Sequence, residues 1–370
     1  MIALIHAYSR TNAGDALLVD LTLDRLRRLG IRPNECTVFA LDSDSFSSTL
    51  PRVRRVGTAK RALTSDLFRA MGQLVLSLTA AATAGRIVPG SLTREIARAD
   101  AVLAVGGGYL KTGTTVSALG TLLNHIPQLA AATTGAGPLL YLPQSIGPLR
   151  GPVGRLVKEY LRSADLICAR DNDTVVELSH IKTVRRIPDL AVLYLAEKGV
   201  RPKEPGSGPF ILIGRALTGA SDYPQRLSKL ESLLPDTVWA TQALGHRSKS
   251  DARFYQMLGV QPLGSSEDVF KVHRGGVVVS VRLHGALMAL ADGIPAIHLS
   301  YERKGWGAYA DLGIDEFVHD ARTFKPDVVA QQALRLLEDP SRYWNSVQSR
   351  YEELQKVSLG FDRLLASHLG

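Results

Sequence analysis

What most constrains this chain is an alternation of short apolar runs with longer amphipathic stretches, repeated over almost its whole length. Strands are expected at Ile2–His6, Val38–Leu41, Ala101–Val105, Leu139–Leu142 and Leu166–Ala169, with helical patterns among them at Asp15–Leu29, Gly154–Ser163 and Thr174–Leu178. A second series places strands at Phe210–Gly214, Val238–Thr241, Val277–Val281 and Ala296–Leu299, and helices at Pro224–Leu234, Glu267–His273, Gly285–Asp292 and Val328–Leu337. Mostly apolar strands bury both faces, and strands joined through helices pair in parallel, so the pattern specifies parallel sheets covered by helices rather than sandwiches or bundles.

The two series are separated by Lys198-Gly-Val-Arg-Pro-Lys-Glu-Pro-Gly-Ser-Gly-Pro209, which holds three prolines and three glycines and too few apolar residues to join a core. A length of 370 residues also fits two domains. The expected organisation is a first domain over 1–198, a linker over 199–209, and a second domain over 210–370 that ends in helices. The fold class is α/β: two doubly wound domains facing across a cleft, with ligands bound beyond the C-terminal ends of the strands.

Charge narrows the partners. The formal net charge is +9. Residues 1–200 hold 24 Lys and Arg against 16 Asp and Glu, whereas residues 201–370 hold 20 against 19. An anionic partner of the first half is therefore expected. Arg52, Arg54, Arg55, Lys60 and Arg61 lie in one stretch without an acid, read either as a solvated loop or as a contact for an anionic acceptor or for lipid headgroups. Nucleic acid is a poor fit, since aromatic residues make up only 6% and no nucleic-acid motif accompanies the charge. The uncharged stretch Ala70–Gly85 is too short to span a bilayer, though paired with the basic loop it would give peripheral membrane contact. Met1 leads straight into an apolar run without a basic leader, and Cys36 and Cys168 form no ligand spacing. These features set a cytoplasmic location and no metal site as the expectations.

Chemistry should then sit just after the strands. Asn12-Ala-Gly-Asp15 follows the first one: Gly14 can admit close backbone approach, and Asp15 can sit at or near a helix N-cap. Gly106-Gly-Gly108 follows the strand Ala101–Val105, where glycines permit positive φ and leave N–H groups open to a ligand. Neither GxGxxG nor a P-loop is present, so no dinucleotide or nucleoside triphosphate site is indicated. Gln144, in Leu142-Pro-Gln-Ser-Ile-Gly-Pro148, suits a sugar hydroxyl or a backbone amide. Arg170 follows the strand Leu166–Ala169 and could enter the cleft, unless Asp171 or Asp173 pairs with it while capping the next helix. Pro188-Asp189 reads as a turn.

The densest group is Val277–Gly305. On an extended strand end Arg282 and His284 would share one face, and Gly285 would open a helix whose N-terminus adds amide donors and partial positive charge. Tyr301-Glu-Arg-Lys304 brings another cation to the same sheet edge. A fixed cation beside a group titrating near neutrality suits an anion carrying both phosphate and carboxylate.

These pieces together resemble the polysaccharide pyruvyl transferase family: Asn12-Ala-Gly-Asp15, Gly106–Gly108, Gln144-Ser-Ile-Gly-Pro148, Arg170-Asp171, Pro188-Asp189, and above all Arg282-Leu-His284 with its helix, Gly293-Ile-Pro295 and Tyr301-x-x-Lys304. The resemblance implies a GT-B-like pair of Rossmann-like lobes and transfer of the enolpyruvyl unit of phosphoenolpyruvate onto sugar hydroxyls as a pyruvate ketal. It assigns His284 as acid/base and Arg282 beside it as catalytic residues, with Arg170, Lys304, Arg215 and Gly285 holding the donor. Asn12, Gly14, Asp15, Gly107, Gly108 and Gln144 would face a saccharide or lipid-linked saccharide acceptor. Phosphoenolpyruvate is a co-substrate, and no cofactor or metal is implied. Residues 44–92 carry no family motif, so acceptor identity is the least transferable part. The competing readings are a GT-B glycosyltransferase using a nucleotide sugar, with Glu302 as the nearest candidate for a ribose ligand, and a non-catalytic glycan-binding protein on the same fold.

Overall fold

The apolar runs become the centres of two all-parallel sheets in the computed structural model, which describes residues 1–46, 50, 52–56, 72, 75, 78–79, 82–83, 90–202, 208–243, 251–273 and 275–370. The chain divides into two compact units. The first comprises Met1–Arg10, Asp15–Leu190 and Gly360–Gly370, and the second Thr11–Gly14 and Ala191–Leu359.

In the first unit the strands are β1 (Ile2–Ala7), β2 (Cys36–Ala40), β3 (Val53–Arg55), β4 (Ala101–Ala104), β5 (Leu139–Gln144), β6 (Leu166–Ala169) and β7 (Val184–Arg186), ordered β3-β2-β1-β4-β5-β6-β7. The helices are α1 (Ala13–Arg28), whose first two residues belong to the second unit, α2 (Ser91–Ala97), α3 (Thr115–Asn124), α4 (Ile126–Thr134), α5 (Gly151–Leu161) and α6 (Asn172–Glu177). Ala3, Ile5, Val102, Ala104, Tyr141 and Ile167 of the central strands pack with Leu129 and Ala130 of α4 and Val157 and Leu161 of α5. Local signals fix the helix starts. Asn12 accepts a hydrogen bond from the Gly14 amide (3.2 Å), so Asn12 rather than Asp15 caps α1. Asp171 caps α6 by accepting from the Thr174 amide (2.8 Å).

In the second unit α7 (Leu190–Lys198, from Ala191 onward) precedes β8 (Phe210–Ile213), α8 (Tyr223–Leu233), β9 (Thr237–Thr241), α9 (Ala252–Leu258), β10 (Gly264–Ser265), α10 (Ser266–Val272), β11 (Val277–Ser280), α11 (Leu283–Ala291), β12 (Ala296–Ser300), α12 (Arg303–Asp311), β13 (Val318–Asp320), α13 (Pro326–Glu338) and α14 (Ser341–Ser349). Its sheet runs β10-β9-β8-β11-β12-β13. The last helix, α15 (Tyr351–Leu369), contributes to both units: Tyr351 and Gln355 donate to the carbonyls of Val200 (3.1 Å) and Ala196 (2.6 Å) in the second, while Phe361 lies under the Arg25 guanidinium (5.1 Å) in the first.

Each sheet reverses its strand order once, at β1/β4 in the first and at β8/β11 in the second. A doubly wound sheet binds ligands at such a reversal, where successive crossovers leave to opposite faces. Among the described residues no helix is long and apolar enough to cross a membrane. Lys60, Arg61 and most of Ala70–Gly85 lie outside the described residues, as do residues 203–207 of the Lys198–Pro209 stretch.

Candidate active site

The reversal in the second sheet gathers most of the titratable groups that the sequence singles out. Strand β11 stops at Ser280 because its hydroxyl takes over the main chain that follows, accepting from the Arg282 amide (3.1 Å) and donating to the Arg282 carbonyl (2.8 Å). The helix therefore begins at Leu283, with Arg282 in extended conformation before it. This corrects the expectation that Arg282 and His284 share a strand face and that Gly285 opens the helix: His284 and Gly285 both lie in the first turn of α11.

Arg282 reaches sideways to Asp251, which accepts from its Nε (3.1 Å) and its Nη2. Asp251 is only 2% exposed, and it also accepts from the amides of Ala243 (3.0 Å) and Gln242 (3.3 Å). Burial alone would lower the Arg282 pKa, but the charge and hydrogen bonds of Asp251 outweigh it and the net shift is upward. Arg282 is thus a permanently charged group clamped by a carboxylate 31 residues away.

On the next strand, His298 is buried and its Nδ1 lies 2.8 Å from the Ser280 carbonyl, so this nitrogen carries the proton. Burial first, then the nearby charges of Lys304 and His284, push its pKa down to about 4. A β-carbon on Gly305, next to Lys304, would lie 2.3 Å from His298 Nε2, so the first turn of the following helix lies against this imidazole. Lys304, in the first turn of α12, pairs with Glu302 (2.9 Å). Arg215, just beyond β8, donates to the Tyr301 hydroxyl (2.7 Å), and its guanidinium lies 5.0 Å from the Tyr301 ring centre. Carboxylates offset Arg282 and Lys304, whereas the observed partner of Arg215 is a neutral phenol. Arg215 therefore has a stronger claim on an anion than its place in the sequence suggested.

Two glycines hold this turn at close quarters. A β-carbon on Gly14 would lie 2.6 Å from His284 Nδ1, and one on Gly285 would lie 2.6 Å from Gln242 Oε1 and 2.9 Å from Ser280 Oγ. The Asn12–Gly14 segment is bound here by an isolated bridge between Asn12 and Ala243 and by the Ala13 amide donating to the Gln242 carbonyl (3.2 Å).

The first unit presents a different group at its own reversal. None of Gly106, Gly107 and Gly108 has positive φ, contrary to the sequence argument for them. Gly106 and Gly107 are required by close approach instead: a β-carbon on Gly106 would meet the Pro143 carbonyl at 2.8 Å, and one on Gly107 would meet the Tyr109 ring at 2.0 Å. The Tyr109 hydroxyl donates to Asp15 (2.6 Å), and burial followed by the Asp15 charge holds its pKa well above the ordinary value. Its ring stacks on Tyr8 and on His125. His125 lies 3.1 Å from the imidazole of His6, which has φ +66° and is buried at the end of β1.

Arg170 does not point out to a ligand, as expected of it, nor does it pair with Asp171. Its guanidinium donates to Asp189 (2.6 Å), Ser145 (3.0 Å) and the Gly107 carbonyl (2.9 Å), with both charged side chains 1% exposed. It braces the glycine turn. Gln144 is wholly buried, and neither atom of its amide has a partner among the described residues. Arg54, of the basic stretch, pairs with Glu95 (3.1 Å). Asp251, His298, Gln242, Tyr109 and the His6–His125 pair escaped the sequence reading. Only the aromatic directly after three glycines, and a histidine inside an apolar strand, gave any local signal.

The family model described as polysaccharide pyruvyl transferase matches residues 12–303. No curated protein matches the sequence. Among solved structures, Anabaena Alr3699/HepE in complex with UDP and glucose is similar with a TM-score of 0.54 at 12% identity, covering 100% of this chain and 98% of that one. UDP-GlcNAc 2-epimerase from Neisseria meningitidis bound to UDP-GlcNAc gives 0.50 at 12% identity, covering 97% and 100%. The putative UDP-N-acetylglucosamine 2-epimerase of Listeria monocytogenes gives 0.50 at 14%, covering 95% and 89%. Identities this low show the fold, a GT-B-like α/β architecture of two domains.

Proposed function

Since the chain belongs to the polysaccharide pyruvyl transferase family, we propose that it uses phosphoenolpyruvate to build a pyruvate ketal on a saccharide, with the donor held by the second unit. The observation that carries this reading is the first turn of α11: His284 lies there, Arg282 is fixed immediately before the helix, and the first turn of α12, which carries Lys304, lies against His298.

The chemistry assigns the parts. His284 delivers a proton to the methylene carbon of the enol, leaving an oxocarbenium-like centre at the neighbouring carbon. A sugar hydroxyl attacks that centre and loses its proton. Phosphate then departs, and a second hydroxyl closes the ring and loses its proton in turn. Arg215 and Arg282 offer guanidinium donors matched to carboxylate and phosphate, and the amides at the start of α11, Gly285 among them, add partial positive charge. Lys304 offsets charge on the leaving phosphate. The acceptor is a saccharide, free or lipid-linked, assigned to Asp15, Gly107, Gly108 and Gln144 of the first unit, with Arg170 acting from beneath the glycine turn. The reaction consumes phosphoenolpyruvate and asks for no cofactor.

Incubation of purified protein with phosphoenolpyruvate and a panel of cell-envelope saccharides and glycolipids should release phosphate in step with a mass gain on one acceptor. Transfer from a nucleotide sugar instead, or no phosphate release with any acceptor of the panel, would overturn the reading. Equal activity on free neutral glycosides, with no binding to anionic vesicles, would remove the lipid-linked acceptor alone.

A further inference from the structure

The polar group beside the first turn of α11 that no role yet covers is the carboxamide of Gln242. The residue follows β9 and is 3% exposed, and its Oε1 is buried without a hydrogen-bond partner among the described residues. Buried carboxamides normally have their bonds made, so an orphan is informative about what else occupies the place. Its main chain is held on both sides: Asp251 accepts from its amide (3.3 Å), and its carbonyl accepts from Ala13 (3.2 Å). The residue is thus tied to the carboxylate that clamps Arg282 and to the segment that ends at Gly14 against His284. The side chain lies against the helix start, with Oε1 2.6 Å and Cδ 3.3 Å from the place a Gly285 β-carbon would take.

The first turn of a helix leaves its amides without intrahelical acceptors, and in α11 the first amide to turn back is Ala286, onto Arg282 (3.1 Å). The Arg282 side chain makes no capping hydrogen bond to this turn, and the absence of a β-carbon at Gly285 leaves the Gln242 carboxamide lying over it. A half rotation about its last torsion lets this group present either its oxygen or its NH2 in the same place.

We propose that Gln242 is a further donor-binding residue, its carboxamide NH2 hydrogen-bonding an oxygen of the phosphate or carboxylate of a small anion seated at the start of α11. This rests on the reading of that turn as the phosphoenolpyruvate site and adds a neutral, oriented contact to the cations already placed there. A packing role and a binding role part at the isosteric apolar variant. If Gln242 only fills space, Gln242→Met, close to it in volume, leaves phosphoenolpyruvate affinity unchanged. If it donates to an anion, Gln242→Glu is the worst substitution available, since it sets a carboxylate against the ligand.

The test is calorimetric titration of phosphoenolpyruvate into the full chain and into Gln242→Met, Gln242→Ala and Gln242→Glu. Gln242→Met keeps the volume without the hydrogen bonds and serves as the variant safest for folding, checked by its melting temperature without ligand. The expected result is binding about tenfold weaker in Gln242→Met and Gln242→Ala, and about a hundredfold weaker in Gln242→Glu. Affinity unchanged in Gln242→Met, or Gln242→Glu binding as tightly as Gln242→Ala or better, overturns the assignment. Failure of the unaltered protein to bind phosphoenolpyruvate is a separate outcome, which overturns the donor reading and this inference with it.

Discussion

Substituting Gly14 by alanine tests how tightly the imidazole is positioned. In an unobstructed helix this change is stabilising by about 1 kcal/mol, because glycine is the poorer helix former. Gly14 is not unobstructed. The new β-carbon would lie 2.6 Å from His284 Nδ1, 2.8 Å from its Cβ and 3.0 Å from its Cγ. Comfortable carbon contacts begin near ~3.5 Å, so the intrusion is close to 1 Å. His284 Cβ is anchored to the helix and cannot swing aside, so one of the two main-chain segments must shift. Overpacking of this kind costs about 1–3 kcal/mol, which cancels or exceeds the helical gain and leaves a net loss of about 0–2 kcal/mol. Turnover should suffer more, since a reacting group displaced by about 1 Å forfeits on the order of a hundredfold in rate. The assay is a urea melt beside steady-state phosphate release. Gly360→Ala is the control, because a β-carbon there meets nothing within 4 Å; it should gain stability by up to about 1 kcal/mol and keep full turnover. Gly14→Ala that is more stable than the parent and equally active would refute the reasoning.

Acid should destabilise the fold through its buried histidines. Burial lowers the pKa of His6 well below 6.5, and those of His125 and His298 to about 4. The unfolded chain therefore takes up protons first: stability is complete above pH 6.5 and falls by about 1.4 kcal/mol per pH unit for each histidine as the pH drops toward the folded-state values. Chemical melts with the same midpoint at pH 7 and pH 5 would contradict this. Asp189→Ala should leave the Arg170 guanidinium buried without its counter-charge and cost about 3–5 kcal/mol in a urea melt; a loss under about 1 kcal/mol would deny Arg170 its bracing role. Arg215→Ala should weaken phosphoenolpyruvate binding at least as much as Arg282→Ala, because a carboxylate already offsets Arg282. Calorimetry showing Arg215→Ala at parental affinity would reverse that ranking.

The central strands were legible because burial on both faces demands an unbroken apolar run, as in Leu166–Ala169, where all four residues are buried. The edge strands were not. Both edges of the first sheet read Val-Arg-Arg, at Val53–Arg55 and Val184–Arg186, and half-exposed strands held by backbone pairing need no apolar signature. At the candidate site Arg282, His284 and Lys304 stood out in the sequence, whereas Asp251, His298 and Gln242 did not, nor did what any of these side chains meet. Asp251 lies far from Arg282 in sequence, and Asp189 looked like a turn. Arg170 and Arg282 present the same guanidinium, yet one is spent on the interior of the first unit and the other lies beside the proposed donor site. The capping role of Asp171 was open to inference because a cap is a local device spanning three residues. Gly106 and Gly107 after β4 are required by crowding against Pro143 and Tyr109, contacts that chain-local reasoning does not contain.

The central claim is that a proton reaches the methylene carbon of the donor from a group that exchanges with solvent. Running the reaction in deuterium oxide and examining the methyl group of the product measures this directly. The account predicts one deuterium in that methyl group, introduced at a rate that collapses in His284→Ala; a product methyl free of deuterium, or labelling that survives unchanged in His284→Ala, would contradict it.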